Sequence, residues 1–463
     1  MAQLQLFAEQ RQHQNLLRHH PDKSPWDLLD VVNWDFTGES TQYLTHVFHS
    51  YPARFIPQIP GMFIHLFTQE GDVVLDPFSG CGTTAVEAML QKRKAIGVDA
   101  NPLACLIGKS KTTLIDANDS ERLRGLARQF RRGEFSSGDS GDQNGDREVK
   151  LPNRKISDIF TPDIIAELNT IKDTLQTLCD DPSLFNVSLV ALSAAIRSLI
   201  ESDREEGQSR SLSLSFSQKL KGMTSSLDDL RGYVDQSNVA ILRGDARYLG
   251  VSSGGVDLVV TSPPYVNALD YYRVHQYNMA WLGMDYVAFR RQEIGGHSHF
   301  IANRFRLLSE YIGDMLRAMI EMSRVLKMGG VCVIVVGNSS LEFELIESYK
   351  FFSSMAADAG FTVRKTLFRN IDTTRKYNSV GVGKINNEHL VVFEKTASPK
   401  GSALDDTFIA HVTLREMTKF KAQVDETPGS YRNGKNVSDE RISQNPARLA
   451  AAMSTIESDI RIK

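Results

Sequence analysis

Two short stretches hold the residue types that could do chemistry. The first, Thr261-Ser262-Pro263-Pro264-Tyr265, places a hydroxyl, carbonyls free of competing N–H donors and an aromatic face side by side. Proline fixes φ, so such a loop holds its acceptors in place; on its own it also reads as a rigid turn with Tyr265 packed as a core residue. The second, Val73-Val74-Leu75-Asp76-Pro77-Phe78-Ser79-Gly80-Cys81-Gly82-Thr83-Thr84-Ala85, reads as strand, glycine turn and helix. Glycines let backbone pass close to a ligand and clear the way into the helix. The G-x-G-x-x-A spacing, with Asp99 ending the next strand as an acceptor for ribose hydroxyls, fits an adenine-nucleoside cofactor. On the glycines alone, a nicotinamide or flavin cofactor and a ligand-free turn stay open. No Gly-Lys-Ser/Thr follows, which excludes a P-loop.

Strand and helix signals surround these stretches. Asp72–Leu75 and Lys94–Asp99 predict strands separated by a helix over Thr83–Gln91, a βαβ beginning. The run Arg132–Lys150 is too poor in large apolar residues to offset its ordering entropy and is expected to be a mobile loop. Thr161-Pro162-Asp163 opens a helix whose stripe Ile164, Leu168, Ile171, Leu175 and Leu178 reads as core, and Leu184–Ile200 predicts a second. Glu201–Ser215 reads as polar and serine-rich. Strands resume at Asn238–Leu242 and Val256–Val260, then at Val331–Val336 behind the turn Lys327–Gly330, and at Phe361–Phe368 and His389–Glu394. Beyond Lys395 the chain reads as a polar tail with one helix over Pro446–Ile460, and no internal repeat is visible.

With 463 residues, 41% hydrophobic and 24% charged, the composition excludes collagen-like, disulfide-scaffold and wholly disordered classes. Lys+Arg at 53 against Asp+Glu at 56 gives a net charge of −3, so any nucleic-acid partner must meet a local cationic face. Cys81, Cys105, Cys179 and Cys332 form no C-x-x-C pair, so neither zinc nor a disulfide framework is signalled. His297-x-His299 lacks neighbouring ligands at metal spacing, and no metal is expected. Neither a signal peptide nor a run of some 18 apolar residues is read, and a cytoplasmic location without membrane association is expected.

Together, Asp76-Pro77-Phe78 before the glycines and Ser262-Pro263-Pro264-Tyr265 after another buried strand resemble the cofactor and catalytic loops of S-adenosylmethionine-dependent DNA amino-methyltransferases. The resemblance covers roughly Thr45 to Lys395 outside the helical insertion. It implies an α/β, doubly wound class I methyltransferase (Rossmann-like) sheet of seven strands, closed by an antiparallel final hairpin. It places Asp76, Phe78, Gly80, Gly82 and Thr83 around the methionine end and ribose of the cofactor, and Asp99 on the ribose hydroxyls. Ala100 and Asn101 would lie alongside the adenine, with Asp245 and Ala246 near its amino group. Tyr51, Pro52 and Phe55, within His49–Phe55, would cover the methionine moiety. Ser262, Pro263, Pro264 and Tyr265 would be catalytic.

An exocyclic amine on a base is a poor nucleophile because its lone pair is delocalised into the ring. The Ser262 hydroxyl oxygen and the Pro263 carbonyl can accept both N–H groups and favour a tetrahedral nitrogen, while Tyr265 stacks the extruded base. Serine where the family otherwise has Asp or Asn leans to cytosine N4 over adenine N6. Double-stranded DNA is the expected partner, with a cognate restriction nuclease or defence-system subunits as further candidates. Rivals are an RNA guanosine-N2 methyltransferase, a protein glutamine methyltransferase and a non-catalytic cofactor- or DNA-binding subunit.

The expected organisation is an N-terminal extension (1–44), a catalytic domain (45–111 and 238–396), a mostly helical insertion (112–237) and a C-terminal tail (397–463). Target recognition is expected in the insertion or the tail. The insertion carries Arg122, Arg124, Arg128, Arg131, Arg132, Arg154 and Lys155; the tail carries Lys419, Lys421, Arg432, Lys435, Arg441 and Arg448. Such runs are also common on solvated faces. Tyr271, Tyr272 and Arg273 follow the catalytic loop, where they could fill the gap left by an extruded base, contact the DNA backbone, or pack in the core.

Overall fold

The computed structural model describes residues 18–134, 160–178, 180–202, 211–267, 269–296, 302–371, 386–431 and 438–462. Apolar runs form β1 (Val73–Asp76), β2 (Lys94–Asp99), β3 (Val239–Arg243), β4 (Val256–Thr261) and β5 (Leu326–Gly337). A small pair, β6 (Ser339–Leu341) and β7 (Glu344–Ile346), precedes β8 (Phe361–Asn370) and β9 (Asn387–Lys395). Seven strands make one sheet in the order β3-β2-β1-β4-β5-β9-β8. Strands β1 to β5 run parallel, and β9 lies antiparallel between β5 and β8. This is the doubly wound sheet with an antiparallel final hairpin that the sequence predicts.

Successive side chains of a strand point to opposite faces, and here both faces are covered. Val74, Leu258, Val260, Val333 and Val335 share one core with Ile59, Met62 and Phe63 of the helix Gln58–Phe67. Leu75, Val259, Cys332 and Ile334 share the other with Leu308, Ile312 and Met315 of Phe305–Val325. Because the strand order runs outward from β1 towards β2 on one side and β4 on the other, a crevice opens at their carboxyl ends, the expected place for a ligand in an open α/β sheet.

Between β2 and β3 stand the helices Pro102–Lys111, Ala117–Arg132, Pro162–Leu178, Pro182–Ser202 and Leu212–Arg231. Ile164, Leu168, Ile171 and Leu175 are buried in a core that also takes Tyr272, Met279 and Trp281 from the helix Tyr271–Trp281. Contrary to the sequence reading, Pro182–Glu201 is long and apolar enough by composition to cross a membrane, but Val190, Leu192 and Ile196 are buried in that same core.

Two further expectations are corrected. The serine-rich stretch runs into the helix Leu212–Arg231, where Phe216, Leu220, Met223, Leu227 and Leu230 recur at four- and three-residue steps and are buried. The segment beyond Lys395 is not a polar tail: the helix Asp406–Glu426 buries Ile409, Met417 and Phe420 in the core of Phe305–Val325, together with Leu449 and Ala452 of Asn445–Ile462. Strand β5 also starts five residues earlier than Val331, running through the expected turn with a register shift opposite Val256–Leu258. Of the expected loop Arg132–Lys150, Arg132 instead ends the helix Ala117–Arg132 with Gly133 as its C-cap, while residues 135–150, with Arg154, Lys155, Cys179, His297, His299, Arg432 and Lys435, lie outside the described residues.

The ring of Phe216 is fully buried and meets Phe130 edge-on at 5.1 Å. Phe216→Ala should therefore cost about 3–5 kcal/mol in denaturant unfolding followed by circular dichroism.

Candidate active site

Strand β1 ends at Asp76, whose buried carboxylate accepts three hydrogen bonds: from Thr84 Oγ1 at 2.7 Å, Thr261 Oγ1 at 2.6 Å and the Phe78 N–H at 3.1 Å. Thr84 lies on the helix that follows the glycine turn. Thr261 ends β4, directly before Ser262. One carboxylate thus ties the two motifs together, and burial pushes its pKa up to about 6 against the pull of its donors.

In the turn, Gly80 and Gly82 take positive φ of 48° and 81°. A Cβ on Gly82 would stand 2.9 Å from the Gly108 Cα, so glycine there lets the helix Pro102–Lys111 pack close. Asp99, at the end of β2, accepts from the Gly80 N–H at 2.7 Å and the Asn101 N–H at 2.8 Å, one on each oxygen. Burial pushes this carboxyl too up to about 6. Each oxygen keeps a lone pair for a further donor.

A pocket opens at the carboxyl ends of the strands. Phe78, Gly80 and Thr83 from the turn, Asp99 and Ala100 after β2, Asp245 and Ala246 after β3, and Ser262 and Pro264 after β4 line it, with Tyr51 and Phe55 closing one side. Ser79 Oγ is buried in the same wall without a hydrogen-bond partner among the described residues. An orphaned polar atom, two half-used carboxylate oxygens and an apolar wall fit a polar nucleoside ligand such as S-adenosylmethionine.

Six sequence-expected residues do not line this pocket. Asp76 and Gly82 lie behind the turn, the first spent on its three donors, the second on helix packing. Asn101 caps the helix Pro102–Lys111, accepting from the Leu103 and Ala104 N–H groups at 2.9 and 3.4 Å, and donates to the Tyr51 hydroxyl at 3.3 Å. Pro263 is buried. Pro52 and Tyr265 line a second cavity, of about 700 Å³, which shares Tyr51, Ala53, Arg54 and Phe55 with the first. Asp245 does line the first pocket, but Arg247 already grips its carboxylate at 2.9 and 2.7 Å.

The sequence reading missed Phe289, Gln292, Glu293 and Ile294, which cover the pocket from the end of the helix Tyr286–Gln292. Glu293 Oε1 accepts the Tyr271 N–H at 2.5 Å, at the start of a helix whose N-cap Asp270 makes no side-chain cap. Burial, with Asp270 adding to it, pushes Glu293 up to about 8. No motif marks this segment. Of the three residues singled out after the catalytic loop, Tyr271 lines the pocket, while Tyr272 is buried beneath the Arg290 guanidinium at 5.0 Å. Arg273 is exposed, 3.8 Å from Asp270.

The basic runs are mostly committed to acids. Arg122 pairs with Asp180, Arg124 with Asp228 and Arg128 with Glu121. Lys419 pairs with Glu416, Lys421 with Asp425, and both Arg441 and Arg448 with Glu342. A different cation, Lys219 on Leu212–Arg231, lines the larger cavity. Among the described residues no group of three His, Cys, Asp or Glu could hold a metal ion.

Residues 6–110 and 256–448 match a family model described as DNA methylase. The Type II methyltransferase M.MvaI of Kocuria varians is 31% identical over 169 residues, covering 35% of this chain and 36% of that protein. The Type II methyltransferase M.MjaII of Methanocaldococcus jannaschii is 22% identical over 411 residues, covering 68% and 76%. Among solved structures, a SAM-dependent methyltransferase from Methanosarcina mazei aligns with 72% of this chain and 97% of that one, at 10% identity and a TM-score of 0.31.

The Asp76 tie predicts a pH-dependent penalty. Thr261→Val should cost about 1.5–3 kcal/mol above pH 7, where Asp76 is an anion deprived of a donor, and less below pH 6, where it is protonated. Denaturant melts across pH 5–8 read this directly.

Proposed function

The chain belongs to the DNA methylase family, and on that premise we propose that it methylates the N4 amine of a cytosine extruded from double-stranded DNA at a specific sequence. S-adenosylmethionine supplies the sulfonium methyl group. The observation that carries this reading is the position of the Ser-Pro-Pro-Tyr loop: Ser262 and Pro264 share one pocket with Asp99, while Tyr265 opens onto the adjoining cavity. Cofactor and base therefore approach the loop from two sides.

Each residue then has a physical task. Asp99 accepts hydrogen bonds from the ribose hydroxyls, and Ser79 Oγ finds the partner it lacks. Phe78, Ala246 and Ile294 exclude water, which strengthens every polar contact inside. Ser262 Oγ and the Pro263 carbonyl accept the two amine N–H groups and hold the nitrogen lone pair towards the cofactor pocket. In the larger cavity Tyr265 stacks the extruded base, offsetting part of an unstacking cost of about a few kcal/mol.

The insertion lines part of that cavity through Ser198 and Lys219, and we assign target recognition to it. A cation there suits a DNA phosphate. The lean to cytosine rests on serine at position 262. A cognate restriction nuclease is the partner proposed for a chain with Type II relatives.

Labelled methyl transfer to total DNA, nuclease digestion and nucleoside identification should yield N4-methylcytosine; N6-methyladenine would reassign the base, and label in RNA alone would overturn the reading. Ser262→Ala should lower kcat by about 10²–10³ with cofactor affinity held, whereas Asp99→Ala should weaken cofactor binding about tenfold or more. Lys219→Ala should raise KM for DNA and reduce the salt slope of binding by about one.

A further inference from the structure

Tyr265 is not free to turn. Its hydroxyl donates to Glu388 Oε1 at 2.9 Å, and Arg369 Nη1 donates to Glu388 Oε2 at 2.5 Å. The Arg369 and Glu388 side chains are only 4% and 10% exposed, and Arg369 Nε donates in turn to the Trp34 carbonyl at 3.0 Å. Arg369 on β8 and Glu388 on β9 are register partners. Two strands of the final hairpin and the N-terminal segment thus converge on the tyrosine of the catalytic loop, and Tyr265, Arg369 and Glu388 all line the larger cavity.

A buried ion pair is weak evidence of stabilisation, because desolvating two charges offsets much of their attraction. Retaining one in the wall of a functional cavity asks for another reason. A phenylalanine at 265 would offer the same stacking face; what tyrosine adds is the hydroxyl, which donates to Glu388 and also meets the Ser262 hydroxyl. We propose that Glu388 is a positioning residue for methyl transfer, holding the Tyr265 ring through its hydroxyl at the one orientation in which a stacked base presents its amine to Ser262 and Pro263. The inference rests on the reading that Tyr265 stacks the target base. Arg369 keeps the carboxylate ionised and fixed to the sheet. Errors of about 1 Å in such an alignment can cost about a hundredfold in rate, so a hydrogen bond remote from the reacting atoms can be worth keeping.

A double-mutant cycle on kcat tests it, with methyl transfer to DNA and calorimetric cofactor binding as readouts. Tyr265→Phe and Glu388→Ala should each lower kcat about tenfold or more, with cofactor Kd changed by less than about twofold. Tyr265→Phe leaves the Arg369–Glu388 pair in place, so its loss does not come from an unpaired buried charge. Glu388→Gln, which keeps an acceptor for the phenol, should regain most of the rate lost in Glu388→Ala. In the Tyr265→Phe background Glu388→Ala should cost nothing further. Additive losses in an active enzyme, or a Gln variant no better than Ala, would overturn the role of Glu388 and leave the proposed function standing. A wild-type chain that transfers no methyl group to DNA would overturn both.

Discussion

A single buried carboxylate holds the two halves of this site together. Asp76 ends the interior strand β1, and its donors come from the helix after the glycine turn and from the last residue of its neighbour β4. Parallel strands on either side of a switch point are joined by long crossovers, so nothing in their local sequence fixes how the turn after one meets the loop after the other. A buried anion does so strongly. It cannot remain unpaired, and its hydrogen bonds are short, directional and about twice as strong as neutral ones. The glycine turn and the Ser-Pro-Pro-Tyr loop are therefore set against one another before any ligand arrives, which is the condition for catalysis by alignment.

Acids and cations are shared unequally between the two cavities, a difference that the near-neutral total of −3 conceals. The smaller pocket holds Asp99 and Glu293, both with pKa values raised by burial. Arg54 lines both cavities, and Lys219, Asp35 and the Arg369–Glu388 pair line the larger one. Carboxyls that burial makes reluctant to ionise gain from a nearby cation, and a sulfonium is one. Arg122, Arg124 and Arg128 of Ala117–Arg132 are each paired with an acid, Asp180, Asp228 and Glu121 respectively, so their charge is largely offset locally.

Much of this was written in local sequence. The strands of the sheet alternate or run apolar as their burial demands, and the glycine and proline motifs mark sharp turns that few other residues could make. The helices Leu212–Arg231 and Asp406–Glu426 carry apolar stripes, but the serines of the first and the charged residues of the second give each segment a polar composition that masks its period. Phe289–Ile294 carries no such signal: its place over the pocket depends on how the helix Tyr271–Trp281 turns back after the catalytic loop, a tertiary matter. The same holds for Asp76 and Asn101. An acid and an amide near a glycine turn look like ligand contacts, and only the positions of Thr261, Thr84 and the next helix show that their hydrogen-bonding capacity is largely spent within the protein.

The insertion between β2 and β3 is the element least predictable from the motifs, yet it is built into the site. His49 Nε2 is hydrogen bonded to Ser193 Oγ at 3.1 Å, and Asn278 Nδ2 donates to the carbonyl and hydroxyl of the same serine at 2.7 and 2.8 Å. Desolvation holds His49 neutral, with its pKa down to about 3, so this contact does not switch across physiological pH. Ser193 thereby joins the insertion to the segment carrying Tyr51 and to the helix following the catalytic loop. A few ångströms away, Tyr51 stacks on His275 at 4.8 Å and forms the wall common to both cavities. Any change in the seating of the insertion must displace that wall, because close-packed cores transmit shifts rather than absorb them. The insertion is thus packed continuously with the wall that the two cavities share.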